Sequence, residues 1–83
     1  MVETYIAHEK MGRGYAIEKA KRLRDEYGYR ILSIQHRQVP MAGSESTPHS
    51  PNWGKTELGY AIIVDTNGYP GGIKMPLPEI IEL

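Results

Sequence analysis

One segment of the chain has the spacing of an amphipathic helix, and this single segment limits the possible folds most strongly. From about Tyr15 to Tyr27, apolar side chains recur every three or four residues, and acids and bases occupy the opposite side. Gly28 follows where a helix ends with a residue in the left-handed region, which glycine adopts without steric cost. The pattern predicts one helix over residues 15–27, which must bury its apolar side against another element.

The clearest strand signal lies over residues 57–66, where apolar side chains alternate along one face. A first strand is predicted over residues 2–9. Both of its sides carry apolar residues, so we expect it to be central or to be covered on one face by the helix. The apolar face of the 57–66 strand is expected to consist of Leu58, Tyr60, Ile62 and Val64.

A second strand is predicted over residues 29–39, a stretch rich in β-branched and aromatic residues. Strict alternation places Leu32 and Ile34 on one face and Ile31 on the other. The polar continuation around His36 is expected to extend beyond the core.

Asn67-Gly68 is a strong hairpin signal, because a type I′ turn needs a positive φ at both central positions. The chain is expected to return as a fourth strand over residues 69–75, which Pro70 and two glycines make an irregular edge strand. Residues 79–83 are expected to add a last short strand or turn. The element order is then β-α-β-β-β.

This order predicts an α+β domain with an antiparallel or mixed four-stranded sheet and one helix packed on one face. Because the helix connects the first two strands, we expect those strands to be parallel neighbours or near neighbours.

The chain has 83 residues and no cysteine, which fits one small domain over residues 1–83 without disulfides. Small secreted domains usually need disulfides, so the composition favours a reducing, cytoplasmic location. The N-terminus lacks the pattern of a signal peptide, and no apolar run approaches the ~20 residues of a membrane span. We therefore expect a cytoplasmic protein that does not bind a membrane.

Residues 40–56 form a long loop without periodicity, rich in proline, serine and glycine. Loops of this length in small domains are uncommon and are usually functional or mobile. The loop contains Trp53, the only tryptophan of the chain. Tryptophan is enriched at interface hot spots, but its ring could also fold back to cap the sheet, and both interpretations remain open.

No residue pattern in the sequence is typical of a catalytic or cofactor site. His8, His36 and His49 lack metal-site spacing. Gly12 and Gly14 lie between the first strand and the helix, where backbone amides can bind an anion, but the full dinucleotide and P-loop patterns are missing. We predict a non-enzymatic protein without metal or cofactor.

The opening Met-x-x-Thr-Tyr-Ile, the basic helix segment at residues 16–22 and the antiparallel strands that follow resemble several small phage-encoded inhibitors of the anti-CRISPR type. The Gly68-Tyr69-Pro70 turn and the terminal Glu82-Leu83 are also similar to one of them. The resemblance implies a compact protein that occludes a surface of a defence complex in the host cytoplasm. The zero net charge differs from the inhibitors that mimic DNA.

A protein-binding module is the first of two hypotheses, and it is based on the Trp53 loop, the exposed edge strand near residues 70–75 and the missing catalytic set. The partner would be a protein or ribonucleoprotein complex. An exposed edge strand can also pair with its own copy, which would give a homodimer. The residues expected to contact the partner are Trp53, Tyr69, His36 and Arg37.

A small DNA- or RNA-binding module is the alternative. Residues 1–40 contain eight of the ten bases, which could contact phosphates, although acids interleave with bases on the helix. Tyr5, Tyr29 and Tyr60 could stack on nucleic-acid bases if the sheet exposed them. The candidate residues for binding nucleic acid or another anion are Arg13, Lys21, Arg22 and Arg30.

Overall fold

The computed structural model describes residues 1–41, 49 and 51–83. Within them, one helix packs on one face of a four-stranded mixed sheet. The predicted α+β class and the order β-α-β-β-β are confirmed. The elements are β1 (Val2–His8), α1 (Arg13–Asp25), β2 (Arg30–Pro40), β3 (Thr56–Asp65) and β4 (Ile80–Glu82).

The strands lie side by side in the order β1-β3-β2-β4. Strand β3 is antiparallel to both of its neighbours, and β4 is parallel to β2. Because α1 connects β1 to β2, these two strands are parallel near neighbours, as predicted. Of the two alternatives expected for β1, the helix-covered one holds: Ala7 packs with Ala16 of α1, while β3, the most continuously buried strand, takes the central place and leaves β1 at an edge.

Helix α1 begins and ends two residues before its predicted bounds. It is followed by Gly28 with a φ of 71°, which confirms the left-handed residue expected at its end. The amide of Tyr29 donates to the Leu23 carbonyl at 3.0 Å and leads the chain into β2. Tyr27 thus lies after the helix and stays largely exposed, instead of completing the helix's buried side.

The hydrophobic core lies between α1 and one face of the sheet. The helix contributes Ala16, Ala20 and Leu23, and the two alanines let its backbone approach the strands closely. Ile80 of β4 packs against both buried clusters and joins them. The sheet residues in these clusters are Ala7, Ile31, Ile34, Tyr60, Ile62 and Val64.

A β-bulge in β2 overturns the predicted assignment of its faces. Ile31 pairs with Val64 and Ser33 pairs with Ile63, so Leu32 has no partner in the β3 register. The extra residue lets Ile31 and Ile34 both face the core, while Leu32 is exposed. A strict period of two cannot detect such an insertion, so the sequence pattern placed Ile31 on the wrong face.

The predicted hairpin after β3 is also wrong. Asn67 does not adopt a positive φ, so the turn is not of type I′. Instead, the Asp65 carboxylate accepts a hydrogen bond from the Asn67 amide at 2.9 Å, and Gly68 donates to the Asp65 carbonyl at 3.2 Å. A hairpin strand has no place beside β3, because both sides of β3 are already paired up to Asp65, with Val2 of β1 and Arg30 of β2.

Residues 69–75 therefore do not form the predicted edge strand. Pro70–Gly72 is a short 3-10 turn, and the chain crosses in an irregular path to reach the other side of β2. The last short strand that the tail allowed does form, as β4, which pairs with Ile34, Gln35 and His36 of β2. The edges of the sheet within the described residues are consequently β1 and β4.

Candidate binding surfaces

Beyond the end of β1, strands β2 and β3 continue as a two-stranded ribbon. His8, the last residue of β1, pairs with Gly59, whereas the pairing of β2 with β3 continues through residues 38–40 and 56–58. The predicted loop over residues 40–56 connects the two strands of this ribbon, and its residues 42–48 and 50 lie outside the described part of the chain. The loop that connects β2 to β3 therefore begins beyond the end of β1.

Trp53 lies in this connection, and its side chain is 51% exposed. The Lys55 amide donates to the Asn52 carbonyl at 3.0 Å and closes a four-residue turn around it. Gly54 has a φ of 70°, which its lack of a Cβ permits. The amide of Met41 donates to the Lys55 carbonyl at 3.0 Å, so this turn is tied to the end of the ribbon.

His36 lies at the centre of a group of side chains that joins four elements. Its ring stacks on Tyr60, with the ring centroids 4.5 Å apart. Its Nε2 lies 2.5 Å from a carboxylate oxygen of Glu9, and its Nδ1 lies 2.5 Å from one of Glu82. Arg13 donates to the other oxygen of Glu82 at 2.9 Å. We refer to Glu9, Arg13, His36 and Glu82 as the His36 cluster.

The charges of the His36 cluster favour the protonated imidazole. Hydrogen bonding to Glu9, and then to Glu82, raises the pKa of His36 above its ordinary value of 6.5. Arg13, and then His36, lowers the pKa of Glu82 below its ordinary value of 4.5. The His36 side chain is only 16% exposed, so the ion pairs lie partly out of solvent. The cluster is therefore strongest when His36 is charged and Glu82 is ionised.

The His36 cluster has the geometry of a link between elements. A metal ion needs one free imidazole nitrogen as its ligand, but Glu82 and Glu9 contact the two ring nitrogens of His36. No group of three or more His, Asp or Glu residues in the described part of the chain could hold a metal ion. With both nitrogens engaged, His36 has no free position for proton transfer to a substrate. Its evident effect is to fasten β4 to β2 and to the start of α1.

The other residues expected to contact a protein occupy two separate places. Arg37 lies in β2 on the face opposite the helix, where its Nε donates to the Gln35 side chain at 2.8 Å. Tyr69 is half-buried, and its hydroxyl accepts a hydrogen bond from the Ile31 amide at 3.3 Å on the outer side of β2. The structure thus does not bring Tyr69, His36, Arg37 and Trp53 into one contact surface, and their binding role stays a prediction.

The four basic candidates for nucleic-acid or anion binding have acidic neighbours. Arg13 is engaged by Glu82, Lys21 lies 3.7 Å from Glu18, and Arg22 lies 3.7 Å from Glu26. Arg30 begins β2 on the exposed surface, in register with Asp65. Acids therefore reduce the positive field that a phosphate backbone would experience.

The predicted aromatic stacking platform is not available on the sheet. Tyr60 is buried against His36 under the helix-covered face, and Tyr5 and Tyr29 pack against the same core. The expectation is wrong for Tyr60, which α1 covers, whereas Tyr5 and Tyr29 are partly buried and do not form one exposed platform with it.

A groove between α1 and β1 was not anticipated from the sequence. It has a volume of about 470 Å³. Partial burial and hydrogen bonding to Tyr29 raise the pKa of Tyr5, on its floor, to about 12. Tyr29 also stacks on Tyr27, with ring centroids 5.6 Å apart. We call this site the α1–β1 groove; the residues that line it include Tyr5, Tyr15, Glu18, Lys19, Arg22 and Tyr27.

The sequence contained a weak signal of this groove. Tyr15 lies in the first turn of α1 and Tyr27 follows its end, whereas bases and acids otherwise fill the outer side of the helix. Tyrosine at the border of an amphipathic helix often presents an apolar ring beside a polar tip. Only the edge position of β1, however, shows that these rings face an uncovered strand.

Within the described residues, no helix has the length and the apolar character needed to cross a bilayer.

Comparison with known proteins identifies no relative of this chain. No protein-family model, curated protein or solved structure matches this chain. Its function must therefore be inferred from its own residues.

Proposed function

We propose that this protein is a non-enzymatic protein-binding module whose main contact is Trp53. The main observation in support is that the only tryptophan of the sequence is half-exposed, in a hydrogen-bonded turn at the end of the β2–β3 ribbon. A fully folded-back ring capping the sheet would be mostly buried. The exposed half of an indole leaves on the order of 100 Å² of apolar surface, and its burial by a partner is worth about 2.5 kcal/mol.

The turn around Trp53 supports this proposal, because a side chain on a defined turn loses little additional freedom when it binds. Leu58 of the ribbon is 41% exposed and adds apolar area on the same projecting element. The resemblance to anti-CRISPR inhibitors favours a protein or ribonucleoprotein of a defence complex as the partner. In that case the protein would act by covering a surface.

Nucleic-acid binding is the less supported alternative. Its basic candidates have acidic neighbours, and of its aromatic candidates Tyr60 is buried and Tyr5 and Tyr29 are partly buried. The two functions differ in their dependence on salt. Phosphate-driven binding weakens steeply between about 50 and 200 mM salt, whereas contact through an exposed indole changes little.

The test is a pulldown from lysate of the cells in which the protein occurs, using wild type, Trp53→Ala and Ile73→Ala. Ile73 is 70% exposed and lies away from the ribbon, so it is a matched loss of exposed apolar surface. We expect wild type and Ile73→Ala to retain the same protein at stoichiometric yield, and Trp53→Ala to lose it with an unchanged melting temperature. Equal recovery by all three proteins, or no stoichiometric partner for wild type, would contradict the proposal.

A further inference from the structure

The outer side of β1 has hydrogen-bonding groups that no strand satisfies. Among the described residues, β1 pairs with β3 alone. The Met1 carbonyl accepts from the Thr66 amide at 2.8 Å, which fixes the alternation of the ladder. The amides and carbonyls of Val2, Thr4 and Ile6 therefore point away from β3.

Lys19 confirms this direction and partly covers the edge. Its Nζ donates to the Ile6 carbonyl at 2.7 Å, from the neighbouring helix. A lysine placed against an edge strand is a known way in which proteins limit unwanted strand pairing. Lys19 satisfies one carbonyl, and the groups of Val2 and Thr4 remain accessible at the same edge.

The α1–β1 groove lies beside this open edge and has a suitable chemistry for a peptide. An added strand would place alternate side chains on the helix-covered side, directly over Tyr5. There the groove offers tyrosine rings for apolar groups. Its helix side carries two cations, Lys19 and Arg22, against one acid, Glu18, and on its β1 side the Glu3 carboxylate is engaged by the Tyr5 hydroxyl at 3.2 Å. The nearest acid to Arg22, Glu26, is 3.7 Å away on the exposed helix surface, so that guanidinium can reach a stronger partner.

We propose that the α1–β1 groove binds an extended acidic segment of a partner protein, which adds to β1 as a further strand. Main-chain hydrogen bonds to Val2, Thr4 and the Ile6 amide supply affinity, and carboxylates bind Lys19 and Arg22. This inference rests on the proposed protein-binding function, but the groove does not include Trp53. The protein would then have two separate contacts with proteins.

A second copy of the chain fits this site less well than an acidic segment. Two copies that paired through β1 would be related by a two-fold axis, and each groove would face the other. Lys19 and Arg22 of both copies would then lie along the same seam and repel one another. Charge complementarity therefore favours a foreign acidic strand over self-association.

The test selects binders from a displayed library of random peptides against the immobilised protein. We expect enriched peptides to be extended and acidic, with apolar residues alternating with Asp or Glu. Fluorescence anisotropy with the best enriched peptide then compares wild type with three variants. Arg22→Ala should weaken binding about tenfold, whereas Lys21→Ala, an equal loss of charge outside the groove, should change Kd less than about twofold.

The third variant is Thr4→Pro, which removes an outward amide at an edge position that tolerates proline. It should abolish peptide binding and keep the melting temperature close to that of wild type. The inference would be overturned by a selection without enrichment, by enrichment of basic or uncharged peptides, or by a Kd that changes with neither Arg22→Ala nor Thr4→Pro. A stable dimer with protected β1 amides would also overturn it. Trp53→Ala should leave peptide binding intact, which separates this test from that of the proposed function.

Discussion

The two edges of the sheet are built in opposite ways. The β4 edge has a three-residue strand, which is held by Ile80 in the core and by the His36 cluster at its end. The β1 edge has a seven-residue strand with one lysine against it and a groove beside it. A short strand contributes few backbone hydrogen bonds, so it needs side-chain contacts to stay in place, whereas a long strand stays in place by itself and leaves its outer side available.

This difference teaches where a small domain can place a binding site. The His36 cluster uses charged side chains to hold β4 against β2, and both ring nitrogens of His36 are engaged in it. The outward main-chain groups of β1 lie near the tyrosines and cations of the α1–β1 groove. The side chains that hold β4 in place and the proposed peptide site thus lie on different sides of one four-stranded sheet.

The largest expected effect concerns the apolar anchor of the closed edge. Ile80→Ala removes a side chain that packs against both core clusters and should lower the free energy of unfolding by about 2 kcal/mol. Ile81→Ala, on the next residue of the same strand, is the control. Its side chain is 48% exposed, so the change should stay within about 0.5 kcal/mol.

Denaturant unfolding measures both variants. Equal losses for Ile80→Ala and Ile81→Ala would mean that β4 does not insert one side into the core. The comparison between a fastened edge and an open edge would then fail.

A smaller effect concerns the charged part of the closed edge, and its sign follows from the two pKa shifts. The raised pKa of His36 gives stability that is complete below the unfolded value near 6.5 and is lost as the pH rises through the folded value. The lowered pKa of Glu82 gives stability that is present above 4.5 and is lost as the pH falls through the folded value. The His36 cluster should therefore stabilise the fold most between these two limits.

Glu82→Gln tests this window through melting temperatures between about pH 3 and pH 9. The gap between wild type and the variant should be widest at weakly acidic pH and should narrow towards both ends. Glu79→Gln removes a carboxylate just before β4, outside the His36 cluster, and should show no such window. A gap that stays constant with pH would show that the ion pairs of His36 do not fasten β4.

The sequence predicted the features that depend on local chemistry. The helix follows from its periodicity and from Gly28, and β3 follows from the alternation that ends at Val64. These segments carry their pattern in consecutive residues, so no knowledge of distant contacts is needed. The element order then limits the fold to one helix on one sheet.

The features that were missed depend on contacts between distant residues. The bulge at Leu32 arises where the pairing of β2 with β3 buries both Ile31 and Ile34. The hairpin expected at Asn67-Gly68 does not form because β1 and β2 already occupy both sides of β3 up to Asp65. Local alternation and turn propensity cannot rank these competing arrangements.

The candidate sites were predicted only in part for the same reason. Trp53 was identified by its rarity in a polar segment, which requires no fold. His36 was expected on a polar extension, but its partners Glu9 and Glu82 come from distant parts of the chain. The α1–β1 groove exists because β1 lies at an edge, and this position follows from the whole topology.

Amide hydrogen exchange in the free protein tests the contrast between the edges most directly. The account predicts that the outward amides of Thr4 and Ile6 exchange fast, whereas Tyr5, which faces β3, and Leu83, which donates to the His36 carbonyl at 3.0 Å, exchange slowly. Uniform slow exchange along β1 would contradict it, because the edge would already be covered. Fast exchange at Leu83 would contradict it equally, because β4 would then not be held against β2.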